Sequence, residues 1–185
     1  MGLHRFVLFC IILSFFAGCV KKDSRTAGAQ NTSSGNVADV VNVVPRPDKA
    51  PNFSWKDSTG KLLDFEAYRG KVTFVNFWAT WCGPCKKELP DLVALSQELA
   101  ARDVRFIGVS TDRGPNIIEG VRSFVNEHGI TYPVVISNDD LEEAFGNPRM
   151  IPTSYLIDSD GKIAQTIVGM RSKESLALAI TSVLK

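Results

Sequence analysis

Cysteine and histidine are scarce in this chain, with four cysteines and two histidines among 185 residues, and charge of neither sign dominates, with 21 Lys and Arg against 20 Asp and Glu. Each shortage excludes something. A balanced charge gives no basic face for nucleic acid. Structural zinc commonly takes four Cys or His ligands, and the second half of the chain offers one histidine, His128, at the end of an expected helix. No apolar run is long enough to cross a membrane, since the best one stops between Phe6 and Phe16. Nor is any internal repeat visible.

That apolar run follows a single basic residue, Arg5, and leads into small residues before Cys19, the pattern of a secretory signal. The ending Phe16-Ala17-Gly18-Cys19 resembles the lipobox of bacterial lipoproteins, although Phe16 stands where leucine is usual. The resemblance implies removal of residues 1–18, acylation of Cys19 and export of the remainder. Cys10 then leaves with the signal and Cys19 is blocked, so Cys82 and Cys85 are the free thiols. Export also places them where disulfides persist.

Residues 19–50 are rich in small and polar side chains, lack aromatics and end near prolines, which predicts a flexible tether. Residues 51–185 suffice for one domain with a real core. Within it, residues 53–57 and 61–65 around Ser58-Thr59-Gly60 predict a hairpin, and the almost unbroken apolar run from Lys71 to Ala79 predicts a strand covered on both faces. Helical spacing follows from Pro84 to Ala101, then a strand over 104–110. A helix begins at Pro115 and stops at Gly129, a strand spans 133–136 and a short helix 139–145. A second hairpin turns at Asp160-Gly161, and a closing helix carries Leu176 and Ile180. This order predicts an α/β fold, a mixed central sheet flanked by helices.

The chemistry is concentrated in FWATWCGPCKKELP, residues 77–90. A disulfide between cysteines two residues apart closes so small a loop that it constrains the unfolded chain little, which disfavours a structural staple. Redox chemistry suits the spacing better, because Cys82 is expected at the mouth of a helix, where free N–H groups and the helix dipole stabilise a thiolate. Lys86 and Lys87 read as a solvated face.

FWATWCGPC resembles the thioredoxin active site, and residues 51–185 resemble the TlpA/ResA-like, membrane-tethered branch of the thioredoxin superfamily. The N-terminal hairpin, Pro90 within the active-site helix and MIPTSYLIDSDGKI, Met150 to Ile163, extend the match. The resemblance implies a thioredoxin fold with a helix and strand inserted between the CxxC helix and a cis-proline, Pro152. It implies a Cys82–Cys85 redox disulfide, Cys82 as nucleophile, Cys85 as resolving thiol, and a substrate-binding rim of Trp81, Gly83, Pro84, Ile151 and Pro152. No dissociable cofactor or metal is implied. The implied partners are protein disulfides, apocytochrome c among the candidates, and a membrane disulfide reductase as electron donor. CGPC is carried by reducing thioredoxins, with a potential of about −270 mV, which favours a reductase.

One departure stands out. Asn76 occupies the place of a buried aspartate in plain thioredoxins, and an amide does not exchange protons near neutral pH. Glu88, one helical turn beyond Cys85, is the candidate replacement, and its other reading is an acid that favours the first turns of a helix by charge. Two competing functions share parts of the pattern. Sco-type copper chaperones space their cysteines by three and add a ligand histidine, and thiol peroxidases need a Pro-x-x-x-Thr-x-x-Cys motif that is absent around Cys82.

Overall fold

The computed structural model of the chain describes residues 36–184. The expected signal, Cys19 and the first part of the tether lie outside them. Eight strands form one sheet in the order β3-β2-β1-β6-β5-β4-β7-β8. The strands are β1 (Val37–Val44), β2 (Asn52–Lys56), β3 (Leu62–Asp64), β4 (Val72–Trp78), β5 (Val104–Ser110), β6 (Val134–Ile136), β7 (Thr153–Ile157) and β8 (Ile163–Val168). The helices are α1 (Gly83–Glu98), α2 (Ile117–Glu127), α3 (Asp139–Ala144) and α4 (Lys173–Val183).

Every residue of β4 is buried, as its unbroken apolar sequence requires. It pairs parallel with β5 and antiparallel with β7. Alternation along it divides the core: Val72, Phe74 and Trp78 join a cluster with α1, α2 and α4, while Val75 and Phe77 join one with the β2–β3 hairpin and α3. Crossover handedness places α1 and α2. The successive β4-α1-β5 and β5-α2-β6 steps join parallel strands and move one way across the sheet, so right-handed connections put α1 and α2 on one face. α3, on the return from β6 to the antiparallel β7, packs into the other cluster.

The second cluster is aromatic. Phe53 stacks on Phe65 at 4.8 Å, and Phe145 packs at 5.2 Å from Phe77 and 4.9 Å from Tyr155. Tyr155 satisfies its buried hydroxyl by donating to Phe145 O at 2.6 Å.

Two expectations need correction. The tether does not run to residue 50: β1 lies inside the sheet, antiparallel to β2 and parallel to β6, with Val37, Ala38 and Val40 buried. Ala50 is buried too, and its N–H donates to Gly161 O at 2.9 Å. Burying a valine side chain is worth about 1.5 to 3 kcal/mol, enough to order a strand that average composition had suggested was loose. The second helix starts at Ile117 rather than Pro115, because Asn116 holds φ at 56°, a left-handed conformation that no α-helix continues through. Otherwise the predicted elements stand within a few residues, and α2 with β6 supplies the insertion expected between Cys85 and Pro152.

Candidate active site

The site forms where β4 ends. Ala79 O accepts from Cys82 N at 3.1 Å, closing a turn over Thr80 and Trp81 that leads directly into α1. Cys82 is the N-cap of α1 in extended conformation, and its Sγ accepts from Cys85 N at 3.2 Å. A cysteine sulfur thus takes the role that a serine or aspartate oxygen usually plays at a helix start. Pro84 in the first turn suits a helix beginning here, since that position donates no intrahelical bond.

Cys82 and Cys85 form a disulfide with Cα atoms 5.3 Å apart. Both residues are buried, with Cys85 facing the core beside Leu89. Gly83 and Pro84 are exposed next to them, and Trp81 stands 69% exposed on the turn, so it is a rim aromatic rather than a core one. Trp78, by contrast, is core: it packs at 5.2 Å from Phe124 and lies over Gly108, where a Cβ would come within 2.9 Å of its Nε1.

Antiparallel pairing with β4 makes β7 begin at the end where β4 stops, which brings residues 150–152 to the disulfide. The Ile151-Pro152 peptide bond is cis. Ile151 O lies 3.7 Å from Cys82 Sγ, while Pro152 O accepts from Gly169 N at 2.8 Å at the end of β8. Thr153 Oγ1 donates to Met150 O at 2.6 Å and braces the segment. Met150 and Met170 are both exposed.

Asn76 and Ser154 face each other across β4 and β7, and Asn76 Nδ2 donates to Ser154 Oγ at 2.9 Å. Glu88 is 2% exposed, on the same buried stripe of α1 as Cys85, Leu92 and Leu95. Its Oε1 accepts from Arg171 N at 2.8 Å, in the segment between β8 and α4. Burial pushes its carboxyl above the ordinary carboxylate range, against the weaker lowering effect of the Arg171 N–H and charge. Burial also raises the Tyr132 hydroxyl, helped by the negative charge of Glu88. His128 caps the end of α2, its ring stacked on Phe124 at 3.9 Å and Nδ1 2.9 Å from Phe124 O.

Two features had no local signal in the sequence. Arg171 meets Glu88 through its backbone, which residue type does not reveal. Asp112 is 3% exposed and reaches from the end of β5 to Thr80.

Residues 45–180 match the Redoxin family model. The ResA thiol-disulfide oxidoreductase of Bacillus thuringiensis (strain Al Hakam) is 37% identical over 128 residues, which span 69% of this chain and 72% of that protein. ResA of Bacillus subtilis (strain 168) is 32% identical over 69% of each chain. Among solved structures, a thioredoxin-family thiol:disulfide interchange protein from Chlorobium tepidum TLS superposes with a TM-score of 0.68 at 35% identity, over 76% of this chain and 98% of that one. StoA from Bacillus subtilis gives 0.59 at 29% identity, over 70% and 96%. The chain belongs to the redoxin family. Within the thioredoxin superfamily it is a ResA-like thiol-disulfide oxidoreductase, with Cys82 and Cys85 as its CxxC pair.

The raised Glu88 carboxyl carries a pH signature. Where folding raises a carboxyl pKa, the native state holds a proton that the unfolded chain has lost, so stability falls as pH rises from the ordinary 4.5 through the raised value. Glu88→Gln abolishes that slope. In urea unfolding of the oxidised protein, the variant should gain on wild type between pH 4 and pH 7, by about 1.4 kcal/mol for each pH unit separating the folded and unfolded values. An equal difference at both pH values would show that Glu88 does not titrate differently on folding.

Proposed function

We propose that this oxidoreductase reduces disulfides of partner proteins outside the cytosol, held at a membrane by a lipid on Cys19. The observation that carries the reading is the placement of Cys82 Sγ at the mouth of α1 and 3.7 Å from Ile151 O, beside Pro152. An extended substrate segment can add itself to the Ile151 backbone as a strand does to a sheet edge, with Trp81 covering one side. Its disulfide then meets the attacking sulfur in line.

In the reduced enzyme, the Cys82 thiolate attacks one sulfur of the partner's disulfide, and the other sulfur leaves as a thiolate and takes up a proton. The partner is now joined to Cys82. Cys85 loses its proton, attacks Cys82 Sγ and expels the partner's second thiolate, so two electrons pass to the partner and CGPC ends as a disulfide. The helix mouth stabilises the first thiolate through the Cys85 N–H and the dipole. Glu88 is suited to accept the Cys85 proton, since a desolvated carboxyl with a raised pKa is a better base at neutral pH than a solvated one. Asn76 offers no such exchange.

Regeneration needs a dithiol donor, and a membrane disulfide reductase is the class that fits an anchored enzyme. Cytochrome c maturation is the proposed setting, with apocytochrome c, whose haem-attaching cysteines must be reduced, as substrate. Among the described residues no helix is long and apolar enough to cross a membrane. The lipobox-like Phe16-Ala17-Gly18-Cys19 supports lipid attachment instead.

Three outcomes test this reading. In cells, Cys85→Ala should accumulate mixed disulfides with its substrates, released by dithiothreitol, and Cys82→Ala should accumulate none; the reverse pattern would exchange the two roles. Glu88→Gln should slow disulfide reduction by about tenfold or more and change its profile between about pH 5 and 9. Superimposed profiles would leave the proton to water or the partner. Finally, wild-type protein should partition into detergent, and Cys19→Ala should release it or block processing, whereas unlipidated soluble wild type would defeat the anchor.

A further inference from the structure

The turn that presents Trp81 and Cys82 is closed by one backbone hydrogen bond, from Cys82 N to Ala79 O at 3.1 Å. Its two central residues are Thr80 and Trp81, and Trp81 is largely in solvent. Thr80 is therefore the handle by which the rest of the protein grips the turn. Thr80 N donates to Asp112 Oδ2 at 2.9 Å, and Thr80 Oγ1 donates to Asp112 Oδ1 at 2.6 Å. One carboxylate thus fixes both the backbone and the side chain of the same residue.

The other end of the grip is rigid. Ser110 Oγ, fully buried, donates to Asp112 Oδ2 at 2.8 Å. Thr111 N donates to Trp78 O at 2.8 Å, which extends the pairing of β4 with β5 by one step. On the far side, the Arg113 guanidinium donates to Ser137 Oγ at 3.2 Å and to Glu142 Oε1 at 2.6 Å, with Asp139 of α3 3.8 Å away. The same guanidinium donates to the Asp112 main-chain carbonyl at 3.1 Å, and the Asp112 carboxylate is left to the hydroxyl and amide donors. Charge-assisted hydrogen bonds of this kind are about twice as strong as neutral ones, and a buried carboxylate holds its place only when so satisfied.

We infer that Asp112, acting through Thr80, is a positioning residue that holds the Ala79–Cys82 turn so that the Cys82 sulfur stays in the mouth of α1, where its thiolate is stabilised. The inference rests on Cys82 being the attacking thiol. Asp112 and Thr80 do not touch the reacting sulfurs. They govern reactivity because the helix mouth acts over the first turn only, and a sulfur that swings out of it loses the Cys85 N–H and the dipole together.

The test is iodoacetamide alkylation of the reduced full-length protein from about pH 4 to 9, with the modified cysteine located by mass spectrometry. Wild type should be labelled at Cys82. Thr80→Val keeps the shape of the side chain and removes its donor, and Asp112→Ala removes the grip. Both should raise the midpoint of the Cys82 profile and slow its labelling near neutral pH by about tenfold, within the cost of misplacing a reacting group. Thr80→Ser keeps both donors, and Asp112→Asn can accept from Thr80 N while its amide faces the rotatable Thr80 hydroxyl, so both should retain the wild-type profile. Thr80→Val, at a half-buried site, keeps the test decisive if Asp112→Ala fails to fold. Profiles for Thr80→Val that superimpose on wild type would overturn the inference. So would Asp112→Asn lowering the midpoint while Thr80→Val leaves it unchanged, because Asp112 would then act through its charge alone. Preferential labelling of Cys85 in wild type would overturn the assignment of the attacking thiol, a failure read from wild type by itself.

Discussion

Strand β4 is the constraint on which the site depends. Its parallel pairing with β5 and antiparallel pairing with β7 bring three chain segments to one end of the sheet: the exit of β4, the exit of β5 and the entry of β7. β8, antiparallel to β7, adds its own exit there. Cys82, Asp112, Ile151 with Pro152, and Arg171 each come from one of those four places. Residues far apart in sequence meet because the hydrogen-bond ladders leave them no other position, and the complete burial of β4 is what holds the ladders in register.

Much of this is legible in the sequence. The apolar run of β4, the turn residues of both hairpins and the spacing of α1 are local signals with local causes. Glu88 was half legible. Its position three residues after Cys85 and four before Leu92 puts it on the helix's core stripe, yet a glutamate there could equally mark a solvated first turn. The Arg171 N–H, supplied by a segment 83 residues away, accompanies the buried outcome. β1 departs from the tether expectation for the opposite reason. VADVVNVV is rich in β-branched residues, but it sits inside a stretch whose average is small and polar, and the tether reading followed the average. Its place between β2 and β6 is a property of the sheet, not of the segment.

The contact between Asp112 and Thr80 had no sequence signature, because a Ser-Thr-Asp stretch after a strand ordinarily reads as turn chemistry. Only the parallel register of β4 and β5, which pairs Trp78 with Ser110, shows that this loop lies against the active-site turn. The same register places Gly108 opposite Asn76, two residues before Trp78, where the indole covers it more closely than a Cβ would permit. Positions beside an active site thus take their meaning from the strand next door.

The two buried carboxylates near the disulfide illustrate how environment divides roles between similar groups. Asp112 receives donors on both oxygens, from Thr80 N, Thr80 Oγ1 and Ser110 Oγ. Donors on both oxygens fix the carboxylate against the turn, which suits it to hold the turn in place. Glu88 is as buried, but among the described residues its carboxyl is held by the Arg171 N–H, and burial makes its charged form costly. That imbalance raises its affinity for a proton, on the same buried face of α1 as Cys85. Asn76 completes the division by filling the sheet position with an amide bonded to Ser154, polar enough to be satisfied and neutral in both redox states. If the resolving step draws on Glu88, as proposed, its proton is held on the helix that bears Cys85, while the facing sheet position is a neutral amide.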